Sequence, residues 1–237
     1  MIPLRDINRS NTYPIVTKAI IFLNILAFLW ELSLGHNLPK AFLAFAVIPA
    51  RYMHPGEAAE YFGAFANPLA AVLPFFGSMF LHGGWLHLLG NMWCLWIFGD
   101  NVEDRLGHGR YLMFYVGGGL AAALVHVLTN PLSGLPTIGA SGAIAAVMGA
   151  YFRFFPKAHV EAIIPPFFFW PFTLPAVVFL GWWFLLQFFN GTATLAAPGK
   201  AFGGIAWWAH IGGFLFGVIV CLFVQNRRRA VPRFIDI

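Results

Sequence analysis

Residues 205–224 read IAWWAHIGGFLFGVIVCLFV: twenty positions without an acid, a lysine or an arginine, and with one histidine, His210. As a helix this run is about 30 Å long, the thickness of a bilayer's hydrocarbon core. It has no polar face to turn to water, so lipid must be its solvent on at least one side. Gly213 and Gly217 stand four apart, a spacing that lets a second helix backbone close in. An ionisable group placed inside such a run is costly to bury and therefore points to function.

Working outward, five further apolar runs occur, over 15–34, 84–102, 111–128, 141–155 and 174–189. Apolar residues make up 59% of the 237 and charged residues 10%, against about 25% charged in an ordinary soluble domain. So few charges cannot cover a water-soluble globule. The expected fold is an all-α polytopic membrane bundle of six transmembrane helices over 15–225, with a short cytoplasmic N-terminal segment (1–14) and a basic cytoplasmic tail (226–237). A long mixed loop over 36–74 contains Pro39, Pro49, Pro55 and Pro68, and a turn-rich loop, TNPLSGLPTIGA, precedes the fourth run.

The cations fix an expected orientation. With the N-terminus inside, the cytoplasmic segments hold Arg5, Arg9, Lys18, Arg105, Arg110, Arg153, Lys157, Arg227, Arg228, Arg229 and Arg233, while only Lys40, Arg51 and Lys200 face outward. That bias favours both ends in the cytoplasm. It also explains the net charge of +5 without nucleic acid, since the arginine tail suits anionic headgroups. The first eighteen residues lack the pattern of a cleaved secretory signal, so the first run reads as a retained span. Cys94 and Cys221 both fall inside spans and make no disulfide framework.

Three polar constellations share the outer side of this layout. They are PTIGASGAIAAVMGAY with Ser141, HGGWLHLLGN with His82, His87 and Asn91, and WWAHIGGFLFG with His210. Ser141 at a glycine-rich helix start reads as an N-cap, or as a nucleophile beside free N–H groups and the positive end of the helix dipole. His210 favours the second reading. The Gly213–Gly217 step matches the small residues Gly142, Ala146 and Ala150 on the fourth run, and packing those faces brings an imidazole to the serine, whose hydroxyl is a weak nucleophile unaided. His87 and Asn91, four apart, share a helix face, either as an interhelical hydrogen-bond pair or as donors to a developing oxyanion. His82 reads as structural. A zinc site built on the three histidines is disfavoured, because no Glu follows the first His as in the helical H-E-x-x-H arrangement and no carboxylate lies nearby in sequence. No metal and no cofactor is expected.

These motifs resemble the rhomboid intramembrane serine proteases of the bacterial six-span type. The resemblance rests on HGGWLHLLGNM, GDNVEDRLG, GASGA and AHIGGFLFG, in that order, and runs over nearly the whole chain. It implies a Ser141–His210 dyad working through an acyl-enzyme, oxyanion binding by His87 and Asn91, and structural roles for Glu103 and Arg105. It also implies transmembrane protein substrates cut near the outer face after a small side chain, and a multi-pass protein of a bacterial inner membrane. The run VVFLGWWFLLQFF becomes a candidate lateral gate. Two departures stand out: Ala145 occupies the position four after the serine where an aromatic residue commonly supports the imidazole, leaving Trp207 or Trp208 to hold His210, and the first loop lacks a Trp-Arg pair. The competing readings are a silent relative that binds membrane clients, and a transporter whose solute flux would survive loss of Ser141.

Overall fold

The computed structural model describes residues 1–164, 168–196 and 205–224. The basic tail and Lys200 lie outside the described residues. The elements in chain order are β1 (Ile2–Asp6), α1 (Ile15–Leu34), α2 (Leu38–Phe45), α3 (Pro49–Met53), α4 (Pro55–Phe62), α5 (Pro68–Gly77), α6 (Trp85–Leu106), α7 (His108–Thr129), α8 (Ser141–Phe154), β2 (His159–Ile164), β3 (Phe168–Pro175), α9 (Ala176–Ala196) and α10 (Trp207–Phe223).

The chain is a membrane-embedded helical bundle. Among the described residues three helical stretches are long and apolar enough to cross a bilayer: Ile15–Phe45, which runs α1 into α2, then His108–Thr129 and Ala176–Leu195. α10 is apolar but shorter, and α6 ends in a charged turn containing Glu103, Asp104 and Arg105. α8 has only 14 residues, about 21 Å of helix, too short to reach both faces of a bilayer. It has no need to: every residue from Gly142 to Tyr151 is buried, so its neighbours rather than lipid surround it.

Glycine makes that enclosure possible. A methyl group built on Gly213 would overlap the carbonyl oxygen of Gly142, one on Gly217 that of Ala146, and one on Gly149 that of Phe214. α8 and α10 thus touch backbone to backbone along the small-residue faces. A Cβ on Gly142 would lie 2.6 Å from the Ala122 methyl, so α7 closes on α8 from another side.

At the other end of α6, Glu103 is fully buried. Its carboxylate accepts from the N–H groups of Val16 and Thr17 (2.9 and 2.7 Å), the Thr17 hydroxyl and His108 Nδ1. The first N–H groups of a helix have no partner within it, and Pro14 at the cap of α1 has no side-chain oxygen to offer. Glu103 caps α1 from a distant point in the chain. The Arg105 guanidinium lies over the Phe154 ring at 5.5 Å, tying α6 to the end of α8.

Two expectations are corrected. The fold is not all-α: β1, β2 and β3 form an antiparallel sheet in that order, with Ile2 opposite Ile163 and His159 opposite Pro175. The Arg5 guanidinium grips Glu161 through two hydrogen bonds, at 2.8 and 2.9 Å. HVEAII suits a strand through its β-branched residues, but one of its two partners, β1, lies some 155 residues away, and no local pattern announces it. The 36–74 segment is likewise not an irregular loop. It folds into α2 to α5, and four of its five prolines, Pro39, Pro49, Pro55 and Pro68, each sit in the first turn of one of them, where a missing N–H costs nothing, while Pro74 lies inside α5. Arg51 pins these helices. It donates to the carbonyls of Leu43 (2.6 Å) and Gly63 (3.3 Å) and stacks on Phe65.

Candidate active site

Ser141 is the first residue of α8, and Ala140 occupies the cap position without a side-chain bond. The serine hydroxyl therefore does not cap its own helix. It lies 2.8 Å from His210 Nε2, across the close α8–α10 contact. His210 Nδ1 lies 2.8 Å from Gln187 Oε1 on α9, while Gln187 Nε2 donates to the Trp183 carbonyl at 3.2 Å. That second bond sets which end of the amide faces the histidine. Gln187 presents an acceptor, so Nδ1 carries the proton and Nε2 is left to accept from Ser141.

His87 takes the opposite form. The Gly83 N–H donates to its Nδ1 at 3.3 Å, which leaves Nε2 as a donor. A methyl group on Gly139, two residues before Ser141, would lie 2.7 Å from that Nε2 and 3.6 Å from Asn91 Nδ2. With φ at +122°, Gly139 also has a backbone that side chains rarely adopt. The segment leading into Ser141 therefore passes close against two donors, His87 Nε2–H and the Asn91 amide. Asn91 is oriented in turn by His82, whose Nδ1 lies 3.2 Å from the Phe80 carbonyl and whose Nε2 lies 3.0 Å from Asn91 Nδ2. The His82 N–H donates to Glu31, a buried acid on α1, at 3.0 Å.

Among the described residues no group of three His, Cys, Asp or Glu side chains is arranged to hold a metal. A cavity of about 30 Å³ lies beside Ser141, walled by Met79, Gly119, Ala122, Ala123 and Thr137. That is room for one or two waters or a methyl-sized group.

Ser141 and His210 are thus in contact, and His87 and Asn91 stand over the approach to the serine. Gly142, Gly213 and Gly217 form the helix contact that brings the pair together, and Glu103 and Arg105 lie at the far end of α6. Ala145 is buried against α10. The aromatic neighbours of His210 are Trp183 from α9, tilted at 34° with centroids 5.8 Å apart, and Trp207, edge-on at 6.5 Å. Trp208 turns away and donates to the Gly191 carbonyl. Sequence reading missed Gln187 and Glu31, although each left a signal. Gln187 is the single amide or ionisable side chain over 176–189, and Glu31 is an acid inside a span.

A family model described as the Rhomboid domain matches residues 70–227, two thirds of the chain, with Ser141, His210, His87, Asn91 and Gln187 all inside the match. The chain belongs to the rhomboid family. Similar proteins include the mitochondrial presenilin-associated rhomboid-like protein A of Danio rerio, 27% identical over 67% of this chain and 39% of its own length. The mitochondrial Rhomboid protein 1 of Saccharomyces cerevisiae is 29% identical over 63% of this chain and 41% of its own. Rhomboid-like protease 5 of Toxoplasma gondii is 33% identical over 59% of this chain and 15% of its own. This rhomboid spans about two fifths of the length of the mitochondrial relatives it matches. Those names support a multi-pass membrane protein but not the bacterial inner membrane expected from the sequence.

Proposed function

We propose that this rhomboid is an intramembrane serine endopeptidase that cleaves transmembrane segments of other proteins. The 2.8 Å approach of Ser141 Oγ to His210 Nε2, with the far nitrogen of the ring already engaged, carries the proposal. Ser141 attacks the scissile carbonyl as His210 Nε2 takes its proton. The developing oxyanion meets the Ser141 backbone N–H at the start of α8, together with His87 Nε2–H and the Asn91 amide. The imidazolium then protonates the leaving amine, and water hydrolyses the acyl-enzyme by the same proton route in reverse. The small cavity beside the serine suits a small side chain before the cut bond. Buried sites of this depth require a substrate helix to unwind locally, because helical hydrogen bonds shield its peptide groups.

The chain is read as crossing the membrane six times with both ends in the cytoplasm, on the strength of the cation bias: through α1, α6, α7, α9 and α10, and once through the short, enclosed α8 together with the segments that flank it. The partners are then transmembrane protein substrates and the lipid bilayer. The test is cleavage of a model membrane substrate by purified protein in detergent. Ser141→Ala and His210→Ala are expected to abolish cleavage and labelling of Ser141 by a fluorophosphonate. Cleavage by Ser141→Ala at the wild-type rate would overturn the reading, and loss of labelling in folded wild type would favour a silent client-binding protein.

A further inference from the structure

The imidazole of His210 is held from α9, a helix that supplies none of the reacting groups. We infer that Gln187 is a positioning residue. Its Oε1 fixes His210 as the Nδ1–H tautomer and aims Nε2 at Ser141, so that the dyad works as a relay of Ser141, His210 and an amide. The inference rests on the protease reading and deepens it.

Three observations converge. Gln187 is 5% exposed on a helix whose neighbouring side chains, Phe184, Leu185, Leu186 and Phe188, are all hydrocarbon. A buried glutamine with a purely local role would satisfy both ends of its amide on nearby backbone. Here only Nε2 bonds within the helix, to the Trp183 carbonyl one turn back, and Oε1 reaches to another helix. The second observation is chemical. A neutral imidazole has two tautomers, and only the Nδ1–H form can accept the serine proton at Nε2. An acceptor at Nδ1 selects that form, the service a carboxylate gives in a three-residue triad. Thirdly, the position four after the serine is Ala145, which offers no surface to hold the ring. Trp183, on the same face of α9 as Gln187, lies against His210 instead. Orientation of the base has passed from the helix of the nucleophile to α9.

An amide differs from a carboxylate in carrying no charge. It selects the tautomer and holds the ring plane, but stabilises the imidazolium less. The expected signature is therefore a loss in kcat with KM held, because Gln187, 5% exposed, has little surface to offer a substrate.

The experiment uses the full chain in detergent micelles. Histidine labelled with ¹⁵N is assigned at His210 by its loss in His210→Ala, and the proton is located on Nδ1 or Nε2 from the ring nitrogen shifts. Cleavage is measured in parallel on Gln187→Leu and Gln187→Glu. The wild type is expected to show a single Nδ1–H tautomer. Gln187→Leu is expected to show a mixture and to lose roughly 10²-fold in kcat with KM unchanged, the scale of a misplaced reacting group. Gln187→Glu, with an oxygen at the same reach, is expected to recover most of the rate and the single tautomer. A wild-type His210 protonated at Nε2 overturns the inference whatever the variants do, as does folded Gln187→Leu with wild-type kcat. Failure of the protease reading is separately visible, as cleavage that survives in Ser141→Ala while the tautomer is unchanged.

Discussion

His210 and His87 flank the same serine in opposite tautomers, each set by a neighbour that is not itself reactive. Gln187 accepts from one ring and the Gly83 backbone donates to the other. One histidine is thereby an acceptor toward Ser141 and the other a donor toward the space beside it. Removing a single oxyanion donor typically costs about 10²–10³ in rate, so His87→Ala and Asn91→Ala are each expected to reduce kcat on that scale with little change in KM, read from initial rates on a model substrate. His82→Ala should act through Asn91: the Asn91 amide loses its acceptor, and the effect of the double variant should be less than the product of the two singles. Of the named residues, Ser141, His210, His87 and Asn91 were legible in sequence because a polar group inside an apolar run stands out. Gln187 and Glu31 were equally visible by that criterion, but their meaning depends on which helix each one faces, and no spacing in the chain carries that.

At the scale of elements, the site depends on how closely α8 and α10 approach. Side chains on α10 could not deliver His210 to Ser141 if anything larger than hydrogen stood at Gly213 or Gly217, since the overlapping atoms are backbone oxygens that cannot swing aside. Gly217→Val is expected to destabilise the fold by about 2–3 kcal/mol, as overpacking of a tight interface does, seen as a fall in thermal midpoint in detergent together with loss of fluorophosphonate labelling. The register of α1 depends on Glu103 in a comparable way. Glu103→Ala strands the N–H groups of Val16 and Thr17 and removes a cap, for an expected loss of about 1–3 kcal/mol, with hydrogen exchange fastest in the first turn of α1. The small-residue steps were readable as close-packing faces. The cap was not: Glu103 is 86 residues from the helix it closes.

On the scale of the whole molecule, the sheet ties the chain's first residues to its later half. Asp6 accepts from the Tyr151 hydroxyl on α8 at 2.7 Å and from Asn101 Nδ2 on α6 at 2.9 Å, and Trp93 of α6 donates to the Pro3 carbonyl. Burial raises the Asp6 carboxyl from an ordinary 3.8 to about 6, against the pull of the Tyr151 hydrogen bond. Between those values the docked strand holds a proton that an undocked one has released. Its attachment is therefore strongest below about 4 and weakens as pH rises through about 6. Hydrogen exchange of the β1 amides, corrected for intrinsic rate, should show protection falling between about pH 4 and pH 7, and Asp6→Asn should flatten that dependence. A protection that instead rises with pH across this interval would contradict the assignment to Asp6.

Sequence alone determined that the chain lives in lipid, roughly where its six principal helices lie (the end of α9 excepted, which runs on to Ala196 past the expected 189), and which polar groups are out of place in an apolar run. These follow from composition and local periodicity, which act over one helix at a time. Tertiary structure decided the rest: that β1 finds β2 across the length of the chain, that four prolines start helices rather than interrupt a loop, that Glu103 caps α1, and that Gln187 on α9 holds His210. Each of these is a contact between segments far apart in sequence. What selects it is the fit of packed surfaces and the need to pair every buried polar atom, and neither is written in the spacing of residues along one strand or helix.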